Sequence, residues 1–147
     1  MSEPYILMVE DSDSDEELAI MAFRRAKIKN RVIVVRDGQE ALDYLFASAS
    51  YAERDMSDVP AVVLLDLHIP KIDGLKVLRI IREDGRTKLL PVVILTSSKL
   101  DKDRLASYVE GANGFVIKPI DFIEFAEAMR SLGLYWLMLN QPPPLNA

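Results

Sequence analysis

The sequence predicts an α/β protein in which a five-stranded parallel sheet carries helices on both faces. Three observations lead there. Five short apolar runs, residues 5–9, 32–35, 61–65, 91–95 and 114–117, are almost free of polar side chains, as strands buried on both faces require. Segments of helical period alternate with them, and right-handed crossovers then set helices above and below the sheet. Charged and hydroxyl side chains (Glu10, Asp11, Asp66, Thr96, Lys118) stand directly after the runs, at the strand ends where open parallel sheets bind ligands.

Taken in order, the first run leads to Ser14 and Glu17 ahead of Leu18, Met21 and Ala22, a capping-box pattern that starts a first helix. A second helix is expected over 39–46, and the polar stretch 47–59 after it reads as an extension of that helix plus a loop. Helical spacing over 75–82 and 103–110 follows the third and fourth runs. Asp121 and Glu124 repeat the capping signature before Phe122, Phe125, Ala126, Met129 and Leu132, one face of the last helix. Met21 and Met129 read as core fillers, and residues 111–114 as a turn.

Size and composition narrow the function. At 147 residues the chain suits one domain with one substantial core. A net charge of -5 disfavours nonspecific nucleic-acid binding, which depends on neutralising phosphates. Without cysteine there is no disulfide, thiolate metal site or cysteine nucleophile. No apolar run approaches the ~20 residues of a membrane span, and the start lacks a signal-peptide pattern, so a cytoplasmic address is expected.

The acidic strand ends carry the chemistry. With the first, third and fifth runs as neighbouring strands, Glu10, Asp11 and Asp66 share one edge with Lys118. Two carboxylates ~5 Å apart repel by about 3 kcal/mol at an effective dielectric of ~20, and one ammonium does not balance three acids. Either an acid binds a proton or a divalent cation sits among them, and a few hard oxygen ligands suit Mg²⁺. A carboxylate beside such a cation, with an ammonium and a hydroxyl nearby, accepts a phosphoryl group. Asp66, ahead of the turn-like stretch 67–74, is the natural nucleophile, and Thr96 the hydroxyl.

These residues make the chain resemble a response-regulator receiver domain of two-component signalling, a flavodoxin-like doubly wound fold. The resemblance spans nearly the whole chain, through the Glu10–Asp11 pair, Asp66 between Leu65 and Leu67, the turn from Pro70 to Gly74, Thr96 with small Ser97, and Lys118–Pro119. It implies Asp66 as the phosphorylation site, and Mg²⁺ held by Asp11, Asp66 and the His68 backbone carbonyl, with Glu10 assisting through water. It further implies Lys118 on a phosphoryl oxygen, Thr96 as the switch hydroxyl, Phe115 as the switch aromatic, and a cis Lys118–Pro119 peptide. Two positions depart from the common pattern: Glu10 where Asp is frequent, and Phe115 where Tyr is frequent. Such a protein is a stoichiometric phosphoacceptor for a histidine kinase, not an enzyme with turnover.

After the last helix, residues 134–139 are apolar nearly all round, and Pro142, Pro143 and Pro144 follow as a stiff segment. Burying Trp136, Leu137 and Leu139 contributes about 5–8 kcal/mol before ordering costs. These residues either cover the chain's own sheet or reach another chain. This ending, together with the long stretch 47–59 before the third run, resembles single-domain regulators paired with bacterial and cyanobacterial phytochromes. That likeness implies a red-light-regulated histidine kinase as donor and a homodimer formed through a C-terminal arm that includes Tyr135, Trp136, Leu137 and Leu139. The division expected is a receiver domain over 1–136 and an extension over 137–147.

Other readings share parts of this pattern. An aspartyl-phosphate phosphohydrolase places a second Asp two residues after the nucleophile, where this chain has His68. A scaffold without the chemistry has no need of Asp66, Thr96 and Lys118 together. A motility adaptor of receiver type shares every pocket residue and differs in its binding surface. Lone His68 reads as solvated, and Asp121 as a helix cap.

Overall fold

Strands β1 (Ile6–Val9), β2 (Val32–Val35), β3 (Val62–Leu65), β4 (Val92–Thr96) and β5 (Gly114–Ile117) alternate with helices α1 (Asp13–Arg25), α2 (Gly38–Leu45), α3 (Gly74–Glu83), α4 (Asp101–Val109) and α5 (Phe122–Leu134). The computed structural model describes residues 3–144, so residues 1–2 and 145–147 of the expected domain limits lie outside it. Every pairing in the sheet is parallel, in the order β2-β1-β3-β4-β5. The fifth strand is therefore an edge, with β4 between it and β3, and not the neighbour of the first and third that the sequence suggested. Its residues are half-buried or exposed, as an edge allows, whereas β1, β3 and β4 are buried throughout.

Alternation along the strands divides the core. Leu7, Val9, Val63, Leu65, Val92 and Ile94 meet α2 and α3 on one face, while Ile6, Met8, Val62, Leu64, Val93 and Leu95 meet α1 and α5 on the other. Register then sets the strand ends. Val9 lies opposite Leu65, so Glu10 and Asp66 emerge side by side, and Thr96 lies opposite Ile117, one residue before Lys118.

Local chemistry places several elements differently from the sequence reading. Ser12, not Ser14, caps α1, its hydroxyl accepting from the Asp15 N–H at 3.3 Å. With Ala19, Ala22 and Phe23 facing inward, Met21 points outward at 43% exposure, whereas Met129 is fully buried. The second helix stops at Leu45 because Ala47 and Ala49 adopt left-handed backbone (φ 52 and 49), and a 3-10 turn at Ala49–Tyr51 replaces the expected helical extension. Arg54 fastens this segment: its guanidinium donates to the carbonyls of Tyr44 and Asp58 and stacks 3.7 Å above the Tyr44 ring. Asp121 caps α5 by accepting from the Ile123 N–H at 2.7 Å.

Beyond α5 the chain continues into a π-helical turn, Tyr135–Leu139. Leu137 is buried in the α1/α5 core with Trp136 packed against it, while Tyr135, Met138 and Leu139 face outward. Among the described residues, no helix is long and apolar enough to cross a membrane.

The turn after β3 is fixed by close backbone approach. A Cβ on Gly74 would lie 2.3 Å from the Asp66 carbonyl oxygen, so only glycine lets α3 start this near the strand end. Gly74→Ala is expected to lower the free energy of unfolding by about 1–3 kcal/mol, read as a shift in urea midpoint. An unchanged midpoint would show that the turn relaxes freely.

Candidate functional site

Carboxylates from the ends of β1 and β3 and from the first turn of α1 converge on one amine. The Lys118 ammonium, nearly buried, donates to Glu10 Oε1 at 2.6 Å, Asp15 Oδ2 at 2.8 Å and Asp66 Oδ2 at 3.0 Å. One carboxylate oxygen each from Glu10, Asp11 and Asp66 lies within 4.8 Å of the others. The turns that follow the strands supply backbone donors: the Ser12 N–H to Glu10 Oε2 and the His68 N–H to Asp66 Oδ1, both at 3.2 Å. Glu10 and Asp66 are 2% and 8% exposed, while Asp11 is exposed.

Thr96 is fully buried at the end of β4. Its carbonyl accepts from the Lys118 N–H at 2.7 Å, which ties β4 to the lysine, and its hydroxyl oxygen accepts from the Ser98 N–H at 3.2 Å. The Ser98 hydroxyl donates in turn to Asp103 on α4 at 2.6 Å. Phe115, half-buried on β5, packs against the α2/α3 core. The His68 ring is largely exposed, its Nε2 3.9 Å from Asp103. A groove of about 670 Å³ opens beside Lys118, lined by Lys99, Pro119, Ile120 and Phe122 among others.

Electrostatics follow from four carboxylates around one cation. Burial holds the Glu10 carboxyl above its ordinary pKa, although the hydrogen bond and charge of Lys118 pull it partway back. Burial alone would lower the Lys118 pKa, but hydrogen bonds to Asp15 and Glu10 and the charges of Asp66 and Glu10 outweigh it and raise it. The lysine stays charged, and the acids remain in excess. Clustered hard oxygens with surplus negative charge fit a divalent cation of the Mg²⁺ class.

Glu10, Asp11, Asp66, Thr96 and Lys118 thus lie together as the sequence suggested, even though Lys118 hangs from an edge strand; its long side chain spans β4. Two features differ. Asp15, which sequence reasoning passed over, is a direct partner of Lys118. The Lys118–Pro119 peptide is trans, like every described peptide bond, and not cis as the resemblance implied. A trans bond is intrinsically preferred by about 0.5–1 kcal/mol before proline, and the ammonium reaches all three partners with it.

This arrangement defines a receiver-type acidic pocket on a doubly wound sheet. Residues 6–130 match the response regulator receiver domain, and the chain belongs to that family. Among curated relatives, the probable methanogenesis regulatory protein FilR2 of Methanothrix harundinacea is 38% identical over 138 residues, 94% of this chain and 86% of that protein. Response regulator Rcp1 of Synechocystis is 33% identical over 90% of this chain and 88% of its own length. The Mn²⁺-bound form of Rcp1 superposes with a TM-score of 0.87 at 31% identity, covering 96% of this chain and 99% of that one. The phosphorylated cyanobacterial phytochrome response regulator RcpA gives 0.89 at 31% identity, covering 97% and 100%. The bacteriophytochrome response regulator RtBRR gives 0.76 at 45% identity, covering 98% and 86%. Receiver-domain response regulators are phosphoacceptors rather than classical enzymes, bind a divalent metal at the acidic pocket, and interact with histidine kinases.

Removing the cation tests the charge balance. In Lys118→Met the buried Glu10 loses its partner, and breaking such a pair costs about 3–5 kcal/mol at pH 7. Because the folded-state pKa of Glu10 is raised, the folded protein takes up its proton before the unfolded chain does. The deficit should therefore shrink as pH falls through that raised value. Urea unfolding of both proteins across pH 4–8 measures this, and a deficit independent of pH would contradict it.

Proposed function

We propose that this protein is a phosphorelay response regulator in which Asp66 accepts a phosphoryl group from a histidine kinase, with Mg²⁺ in the acidic pocket. The observation that carries the reading is the convergence of the Glu10, Asp11 and Asp66 oxygens with the Lys118 ammonium around one acceptor carboxylate. Asp11 and Asp66, with the His68 backbone carbonyl, would hold the ion, and Glu10 would assist through water. Bound there, Mg²⁺ supplies charge neutralisation for the phosphoryl oxygens.

The chain's own groups perform the remainder. An Asp66 oxygen bonds to phosphorus as the donor's P–N bond breaks. The bonding pair returns to the imidazole nitrogen, which takes a proton from solvent. Lys118 is placed to hold a phosphoryl oxygen, and Thr96 keeps its hydroxyl proton to donate to another, because its oxygen already accepts from Ser98. Moving Thr96 toward the pocket vacates space that Phe115 fills, making the pair a switch. Water attack on phosphorus releases phosphate and returns Asp66 as a carboxylate, so each chain acts stoichiometrically.

The names of RcpA and RtBRR, two structural neighbours of this chain, support a phytochrome-type histidine kinase as donor. A cytoplasmic location suits that partner, and the net charge of -5 argues against nucleic acid. The chain is further proposed to form a homodimer through its C-terminal end. Of the residues expected in that arm, Trp136 and Leu137 turn into their own core. Tyr135, Met138 and Leu139, at 48%, 58% and 70% exposure, are the surface left to a second copy. Within the proposed extension 137–147, Leu137 packs on the receiver core while Met138 and Leu139 face outward.

Asp66→Asn is expected to abolish labelling by radioactive acetyl phosphate in Mg²⁺, and equal labelling would move the acceptor elsewhere. For the dimer, sedimentation of the wild type and of a Met138→Ser, Leu139→Ser double variant should show a dimer becoming a monomer. Identical sedimentation of the two refutes this interface.

A further inference from the structure

We propose that Asp15, on the first turn of α1, is a positioning residue that holds the Lys118 ammonium while Asp66 is unmodified and yields it when Asp66 carries a phosphoryl group. This rests on the reading of Asp66 as the acceptor.

An ammonium has three N–H donors. Lys118 spends all three, on Glu10, Asp15 and Asp66 at 2.6, 2.8 and 3.0 Å, and keeps none for a fourth acceptor. Among the described residues it is the one cation paired with these carboxylates. A phosphoryl group arrives with close to two negative charges and three strong acceptor oxygens. To serve them, the lysine must loosen a bond it already makes.

The three bonds are not equally dispensable. Glu10 has the shortest bond, and its side chain is 2% exposed, so losing Lys118 would leave a charge buried with one backbone donor. The donor now on Asp66 passes to the phosphoryl group carried by that carboxylate and serves one of its oxygens, so a second donor has to come from Glu10 or Asp15. The Asp15 side chain is 29% exposed, and water replaces the lysine there at small cost. Its charge also repels an incoming anion at the same ammonium. Donor competition and repulsion act in the same direction, so Asp15 raises the threshold for occupying the site. Its backbone N–H is tied to Ser12, one residue past the acidic pair, so its release is felt at the capped start of α1.

Beryllofluoride, a phosphoryl mimic that coordinates an aspartate oxygen, tests this on the full chain in saturating Mg²⁺ by calorimetric titration. Asp15→Asn should bind about fivefold tighter than wild type, Asp15→Ser should match it, and Asp15→Glu should stay within about twofold of wild type. Nitrogen NMR of the Lys118 ammonium should show faster hydrogen exchange in Asp15→Asn, a signature that a merely structural role for Asp15 would not move. Binding by Asp15→Asn that is unchanged or weaker overturns the proposal, as does an Asp15→Glu variant that tightens equally. If wild type binds no beryllofluoride, or Asp66→Asn binds it as wild type does, the acceptor reading itself has failed.

Discussion

The pairing of the Lys118 ammonium with buried carboxylates is the interaction on which the rest of the site depends. Glu10 and Asp66 sit at 2% and 8% exposure, where an unpaired charge is costly, and a single lysine makes that placement tolerable. The sheet makes the pairing possible. Because Val9 and Leu65 are register partners, the two acids leave adjacent strands at the same height, and the residues that follow turn away into α1 and α3. The turns after the two strands therefore give the carboxylates backbone donors from Ser12 and His68.

Sheet and pocket were legible from the sequence to different degrees. Runs that become β1, β3 and β4 are buried along their whole length, which is what an unbroken apolar stretch signals. The run at β5 looks the same on paper yet folds as a half-exposed edge, since apolar content does not say which strand is last. Strand order, in turn, is a tertiary property: Lys118 reaches Asp66 across β4 by the length of its side chain and not by strand adjacency. Residues 47–59 misled for another reason, because the left-handed backbone at Ala47 and Ala49 has no glycine or asparagine to announce it.

Asp15 shows how a small local error hides a partner of Lys118. With Ser14 as the cap, Asp15 would be the first helical residue, one of several acids near a helix start. With Ser12 as the cap, it is the third, and the turn brings its carboxylate over the sheet edge to Lys118. Residue types at strand ends were sufficient to find Glu10, Asp11, Asp66, Thr96 and Lys118, because strand ends are marked by the apolar runs themselves. A partner presented by a helix depends on helical phase, and phase is lost when the start is misplaced by two residues.

The fourth helix stands apart from the other four. It buries Ser107 alone, with Leu105, Tyr108 and Val109 in solvent, yet hydrogen bonds link Asp103 at its first turn through Ser98 to the Thr96 hydroxyl. A segment held by so little apolar area yields to forces that would leave the sheet undisturbed. Two short polar links thus join the end of β4, beside the charged pocket, to a helix that buries no apolar side chain. Any shift of the Thr96 hydroxyl would be passed through Ser98 to a helix that little apolar contact holds in place.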